Sequence, residues 1–128
     1  MKRRIETDFA PQPVGPYSQA IEWDGWLWCA GMVGLDPQTG QLVEGGVAAE
    51  AERALRNLEA VLDAAGATFA DVVKTTVFLA DIADFAAVNE VYARFFPDPP
   101  PARSTFAVVA LPRGARVEIE AVARAGRD

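Results

Sequence analysis

Apolar residues in the segment 47–65 recur at alternating spacings of four and three residues. They are Ala51, Leu55, Leu58, Leu62 and Ala65, and this spacing places them on one face of an α-helix. Gly66 follows as the predicted C-terminal cap, because glycine adopts the left-handed conformation there without strain. A helix with one apolar face must bury that face, so the rest of the chain has to form a surface that covers it.

The segments around this helix predict strands and one further helix. After an irregular, proline-rich start, strands are predicted over residues 17–23, 26–30, 42–43, 71–79, 104–111 and 116–123, with Asp24-Gly25 as a tight hairpin turn. Asp84 is the predicted N-cap of the second helix, which Pro97 ends and whose shared face holds Phe85, Val88, Tyr92 and Phe95. This order predicts an α+β fold with both helices on one face of a sheet.

The helices leave the other face of such a sheet uncovered. In the last predicted strand, one face holds Val117, Ile119 and Ala121, and the other holds Glu118, Glu120 and Val122. Arg103 and Thr105 likewise share a face with apolar neighbours in the preceding strand. An apolar sheet face that its own chain does not cover indicates a subunit interface.

Length and composition predict a single domain over residues 1–128 that does not enter a membrane. Hydrophobic residues make up 51% of the chain, but no apolar stretch approaches the roughly 18 residues that span a bilayer. The basic start continues into polar residues rather than an apolar segment, so we expect no secretory signal and a cytoplasmic location. The net charge of −6 argues against a nucleic-acid partner, because phosphate binding requires clustered Lys and Arg.

The sequence contains no histidine, which excludes Ser-His-Asp and Cys-His catalysis and the usual zinc sites. Its one cysteine, Cys29, lies in an apolar run and is interpreted as an inert packing group. We therefore expect a reaction without a metal, carried out by Arg, acidic or hydroxyl side chains and bound water.

Arg103 stands out in the segment after Pro100 and Pro101, where a stiff loop enters a predicted strand. A guanidinium held in this way presents a planar fork of donors that suits a carboxylate, so one interpretation is an anion anchor. The other is a solvated arginine paired with one of the 18 acidic residues of the chain.

Four segments, taken together, resemble the RidA/YjgF family of reactive-intermediate deaminases, also called the endoribonuclease L-PSP family. They are residues 10–20 (APQPVGPYSQA); 57–58 (NL) with 64–67 (AAGA); 84–85 (DF) with 88–92 (VNEVY) and 95–96 (FF); and 101–104 (PARS) with 111–112 (LP) and 117–121 (VEIEA). All four occur in order at the family's intervals, and the match covers nearly the whole chain.

The resemblance implies a chorismate-mutase-like subunit with a mixed six-stranded sheet and two helices on one face. It implies a homotrimer with a central barrel of sheets and with ligand clefts between subunits. The implied activity is hydrolysis of 2-imino acids such as 2-iminobutanoate and 2-iminopropanoate to 2-oxo acids and ammonia, a form of metabolite damage control. No cofactor is implied.

The resemblance also implies roles for individual residues. Arg103 matches the carboxylate-binding arginine, and Glu118 matches the acidic residue that orients or partly deprotonates the attacking water. Tyr17 would donate its hydroxyl to the substrate or the water, and Asn89 would lie near the ligand. Each residue has a plainer interpretation: Glu118 as a partner in an intersubunit ion pair, Tyr17 as a core tyrosine and Asn89 as a polar helix position.

The sequence departs from the family at positions that would line the substrate. Ala30-Gly31-Met32 stands where the family commonly has Ser-Gly-Gln, and Thr105 stands where many members have cysteine. Glu50 occupies a position that is often glutamine. The loss of polar groups at Ala30 and Met32 favours an alternative function, a non-catalytic metabolite-binding or regulatory trimer. A ribonuclease, as attributed to some relatives, fits poorly with a pI near 4.6 and no histidine.

Overall fold

The structure, a computed structural model, describes residues 1–125 and contains one six-stranded sheet. Its strands are β1 (Arg3–Ile5), β2 (Ala20–Trp23), β3 (Trp26–Val33), β4 (Val72–Leu79), β5 (Ala102–Ala107) and β6 (Val117–Arg124). They lie in the order β1-β2-β3-β6-β4-β5, in which β4 and β5 are parallel and all other neighbours are antiparallel. The predicted mixed sheet is therefore confirmed.

Two helices, α1 (Gly46–Ala64) and α2 (Phe85–Tyr92), pack on the sheet and on each other. The face of α1 predicted from its spacing is buried in the core, together with the helix-facing residues of β3, β4 and β6. Helix α2 forms the crossover that two parallel strands require, and it connects β4 to β5. No helix within residues 1–125 is long and apolar enough to cross a membrane.

The opposite face of the sheet is open. Along β6, Val117, Ile119 and Ala121 are buried, whereas the side chains between them, Glu118 and Glu120, are only half-buried. Trp28 of β3 pairs with Val122 on the open face and is exposed, as is Phe106 of β5. The alternation predicted for the last strand is therefore confirmed.

Several strand boundaries differ from the prediction. Strand β1 was missed, and residues 42–43 form no strand: only an isolated bridge joins Leu35 to Leu42. Strand β2 begins at Ala20 rather than at Tyr17. Strand β5 begins at Ala102 and ends at Ala107, so Arg103 lies inside the strand rather than at its entrance. The pairing of β5 with β4 extends the strand toward the prolines.

The turns and caps were predicted in part. Asp24 and Gly25 both have positive φ, 53° and 83°, as the predicted tight hairpin requires. Gly66, with φ 77°, follows the end of α1. Asp84 makes no side-chain cap at α2; instead Asp81 accepts a hydrogen bond from the Ala83 N–H and begins a 3₁₀ turn that leads into α2. Helix α2 ends at Tyr92, five residues before Pro97.

Candidate functional site

Arg103 lies on the face of β5 that the helices cover. It pairs in the parallel register with Thr75 of β4, which is buried beneath α2. The carbon at the centre of its guanidinium lies 4.8 Å from the ring centroid of Tyr92 and 5.5 Å from that of Phe85. Arg103, Asn89, Tyr92 and Pro101 line one cavity, which we call the Arg103 cleft.

Within residues 1–125, no carboxylate oxygen lies within 4.0 Å of the Arg103 guanidinium. The interpretation of Arg103 as a surface ion-pair partner is therefore wrong for the described chain. Its donors are available to an anion from outside, in a position where two aromatic rings flank the cation.

Glu118 lies on the open face, in a second cavity lined by Tyr17, Ala30, Gly31 and Met32 among others, which we call the Glu118 cavity. The β3–β6 register shifts between Cys29 and Met32, and this irregularity brings Gly31 against the Glu118 side chain. A Cβ on Gly31 would lie 2.7 Å from Cδ of Glu118 and would overlap Oε2. Glycine at this position therefore leaves the space that the carboxylate occupies.

Burial raises the pKa of Glu118 above its ordinary value, and the negative charge of Glu120 on the same face raises it further. Both effects disfavour the ionised form, so the carboxylate is a stronger base than an exposed glutamate. Such a shift is typical of a group that accepts a proton in a reaction.

Tyr17 lies on the loop before β2 and is 53% exposed, so its interpretation as a core tyrosine is wrong. Its hydroxyl oxygen lies 3.5 Å from the Val14 N–H. The loop is held by Gln19, a buried side chain whose Oε1 accepts from Thr7 N–H and whose Nε2 donates to the carbonyls of Thr7, Ala10 and Pro11. This anchor fixes the loop that carries Tyr17 over the Glu118 cavity.

The structure separates the two groups of predicted site residues. Arg103 pairs with Thr75 of β4, and Glu118 pairs with Phe78 of the same strand. Thr75 and Phe78 are three residues apart and point to opposite faces of the sheet. Arg103 and Asn89 therefore lie on one face, and Glu118, Tyr17, Ala30 and Gly31 lie on the other.

Three other residues singled out in the sequence lie outside these cavities. Thr105 follows Arg103 on the same face of β5, beside Val77. Cys29 is buried, and burial raises the pKa of its thiol to about 12, which agrees with an inert packing role. Glu50 is fully buried: its carboxylate accepts from the Arg116 N–H at 2.8 Å and forms an ion pair with the Arg116 guanidinium at 2.6 Å.

Sequence reasoning missed the placement of Phe85 and Tyr92 beside Arg103. Their shared helix face was predicted, but the pattern gave no signal that an arginine covers them. It also missed Gln19, although this residue belongs to the segment that carries Tyr17. Within residues 1–125, no group of three or more Cys, Asp or Glu side chains is arranged to hold a metal ion.

Comparison with known proteins shows the family to which a chain with this fold belongs. The model of the family described as Endoribonuclease L-PSP matches residues 7–125. The chain belongs to this family, which is also named RidA/YjgF.

Individual members of the family are similar to this chain over nearly its whole length. A protein of Mus musculus named 2-iminobutanoate/2-iminopropanoate deaminase is 54% identical over 126 residues, which cover 98% of this chain and 93% of the mouse protein. The crystal structure of RidA from the Antarctic bacterium Psychrobacter sp. PAMC 21119 is 43% identical, with a TM-score of 0.92 over 95% of this chain and 98% of that one. The YjgF gene product of Escherichia coli is 40% identical, with a TM-score of 0.90 over the same shares.

Proposed function

We propose that this protein hydrolyses 2-imino acids, such as 2-iminobutanoate and 2-iminopropanoate, to 2-oxo acids and ammonia. The observation that carries the proposal is the 54% identity, over 98% of the chain, to a mouse protein named for that activity. The geometry supports it, because Arg103 has free donors for a carboxylate and Glu118 has a raised pKa beside an open cavity.

In the proposed reaction, the Arg103 guanidinium binds the substrate carboxylate through two parallel hydrogen bonds and fixes its orientation. The Glu118 carboxylate accepts a proton from a water molecule as the water oxygen adds to the protonated imine carbon. The protonated Glu118 then returns its proton to the carbinolamine nitrogen, and the hydroxyl proton passes to a second water molecule as ammonia leaves and the 2-oxo acid forms. Tyr17 donates a hydrogen bond from the same cavity, and Asn89 contacts the ligand beside Arg103.

This mechanism requires two copies of the chain, because Arg103 and Glu118 lie on opposite faces of one sheet. We place each site between the Arg103 cleft of one copy and the Glu118 cavity of a neighbouring copy. The exposed side chains on the open face, among them Trp28 and Phe106, favour the homotrimer with a central barrel that the family resemblance implies. The cytoplasmic location and the absence of metal, cofactor, nucleic-acid and membrane partners stay predictions from the sequence.

One observation favours a second candidate, a trimer that binds and senses a metabolite without turning it over. Ala30 lines the Glu118 cavity where the family commonly has serine, so one hydrogen-bonding group is missing beside the proposed water. Met32 replaces the family's glutamine on the other face, where it pairs with Ile119 and is buried in the core. Arg103 would still bind a carboxylate in such a protein.

Imine hydrolysis is tested by coupling an amino-acid dehydratase, which releases the 2-imino acid, to detection of the 2-oxo acid. Formation of oxo acid faster than in the same reaction without the protein supports hydrolysis. Binding of 2-oxobutanoate without any acceleration would instead support the metabolite-binding candidate.

The shared site is tested by co-expressing Arg103→Ala chains with Glu118→Gln chains. Each variant alone should be nearly inactive. Random mixing of equal amounts restores both wild-type groups in about one quarter of the sites, since each site then draws one residue from each of two chains. A mixture as inactive as the single variants would place both residues in the same copy's site and contradict the composite arrangement.

A further inference from the structure

The aromatic rings beside Arg103 come from the two ends of α2. Phe85 is the first residue of the helix and Tyr92 the last, and their separation of seven residues, about two turns, places both on one face. We propose that Phe85 and Tyr92 are positioning residues, which hold the Arg103 guanidinium so that its donors point at the substrate carboxylate. This inference rests on the proposed function, because it assumes that Arg103 binds the carboxylate of the substrate.

The rings of Phe85 and Tyr92, which we call the aromatic platform, contact the Arg103 guanidinium without occupying its hydrogen-bond donors. The face of a ring attracts a cation without accepting any of its N–H groups in a conventional hydrogen bond. An ion pair with a carboxylate of the chain would instead occupy the donors that the substrate needs. The described residues provide Arg103 with two ring contacts and no such carboxylate.

The inner ring of the platform is fixed by a hydrogen bond. The Tyr92 hydroxyl lies 2.6 Å from Oγ1 of Thr75, and both groups are buried. Thr75 is also the residue of β4 that pairs with Arg103 of β5. Thr75 therefore contacts the hydroxyl of Tyr92 through its side chain and lies beside Arg103 in the sheet. Burial raises the pKa of Tyr92, which keeps the phenol protonated at neutral pH.

The outer ring is the better one to test. Phe85 is 40% exposed, whereas Tyr92 is 7% exposed, so truncation of Phe85 disturbs the core less. Phe95 is a matched control, because it also lies under an arginine, Arg56, at 4.7 Å from its ring centroid. Unlike Arg103, Arg56 lines neither the Arg103 cleft nor the Glu118 cavity. The same Phe→Leu change therefore removes a cation–π contact to the arginine of the proposed site at one position, and to an arginine outside it at the other.

The experiment measures KM and kcat for 2-iminobutanoate, the Kd for 2-oxobutanoate and thermal melting. Phe85→Leu should raise KM and Kd by about threefold to tenfold and change kcat less, as expected for the loss of one cation–π contact. Phe85→Tyr, which keeps the ring, should restore both constants to within about twofold of wild type. Phe95→Leu should leave them unchanged whatever it does to melting.

A double variant tests whether Phe85 acts through Arg103. In an Arg103→Gln background, Phe85→Leu should have no further effect on Kd, because the cation is already absent. An equal effect in both backgrounds, or a Phe85→Leu protein with wild-type KM and Kd, would overturn the positioning role.

The outcomes also separate this inference from the proposed function. Turnover that does not depend on Phe85 overturns the positioning role and leaves imine hydrolysis standing. Binding of 2-oxobutanoate that depends on Phe85, without turnover, contradicts hydrolysis and supports the positioning role. A wild-type protein that neither binds 2-oxobutanoate nor accelerates hydrolysis overturns both.

Discussion

Replacing Gly31 by alanine should strongly lower the activity of this protein while leaving its fold intact. The added Cβ would lie 2.7 Å from Cδ and 2.9 Å from Cγ of Glu118, and nearer still to Oε2. Carbon atoms in contact are separated by about 3.5–4.0 Å, so the carboxylate must move by about 1 Å. Gly31 does not have a positive φ, so alanine can adopt its backbone conformation and only the end of a flexible side chain has to yield.

A displacement of about 1 Å in a reacting group can lower the rate about a hundredfold, and we expect a loss of that order in kcat/KM for 2-iminobutanoate. The free energy of unfolding should change by less than about 1 kcal/mol, because alanine also restricts the unfolded chain. Gly66→Ala is a matched control with the opposite result: its φ of 77° strains alanine, so it should lower stability and leave kcat/KM unchanged.

The predicted loss of activity is caused by a clash with the Glu118 side chain, so a variant that lacks this side chain tests the cause. In a Glu118→Ala background the space beside Gly31 is empty, so adding Gly31→Ala should lower kcat/KM by less than about twofold. A Gly31→Ala protein with wild-type kcat/KM would refute the reasoning. So would a loss of the same size in both backgrounds, since the clash with Glu118 would then not be its cause.

Other variants and conditions test the remaining parts of the site. Arg103→Lys keeps the charge but replaces two parallel hydrogen bonds by one, which should cost about 1.5–3 kcal/mol, or roughly tenfold to a hundredfold in kcat/KM; a loss below about threefold would exclude carboxylate binding. Glu118→Gln should lower kcat more than Glu120→Gln does, and equal effects would remove the distinction between them. Burial raises the pKa of Glu118 in the folded protein, so its protonated carboxyl group stabilises the folded state at pH values below the pKa of the unfolded chain. This contribution to the free energy of unfolding is lost as the pH rises through the pKa of the folded protein. Glu118→Gln should therefore melt no lower than wild type at neutral pH, whereas wild-type activity should fall as pH drops through the raised pKa. Light scattering after size exclusion should give about three subunit masses, and a stable monomer at micromolar concentration would contradict the shared site. Activity should survive exhaustive chelation, and its recovery only with added metal would contradict the metal-free reaction.

The helices and central strands could be predicted because their signals are local. The apolar face of α1 and the alternation along β6 are properties of consecutive residues, and both occur in the structure. Strand β1 could not be found in this way: it has three residues, of which only Ile5 is buried, and it exists through its pairing with β2. Asp84 was predicted as the cap of α2, but Asp81 makes the capping hydrogen bond, because the chain enters α2 through a 3₁₀ turn that the sequence pattern does not indicate.

The candidate site was predicted residue by residue but not as an arrangement. Arg103 and Glu118 were singled out by residue type and by family resemblance. Their placement on opposite faces depends on the strand order β6-β4-β5 and on the register with β4, which no local pattern contains. Phe85 and Tyr92 were assigned to a helix face correctly, yet periodicity cannot tell a face packed in the core from one that supports a cation.

Gln19 has a consequence for how the substrate range of this protein can change. Its side chain holds the loop before β2 entirely through main-chain atoms, at Thr7, Ala10 and Pro11. Main-chain groups are the same whatever side chains the loop carries, so the anchor does not restrict the identity of the residue at Val14, which lines the Glu118 cavity. The rim of the Glu118 cavity can therefore accumulate substitutions, in evolution or by design, without loss of the attachment that keeps it in place.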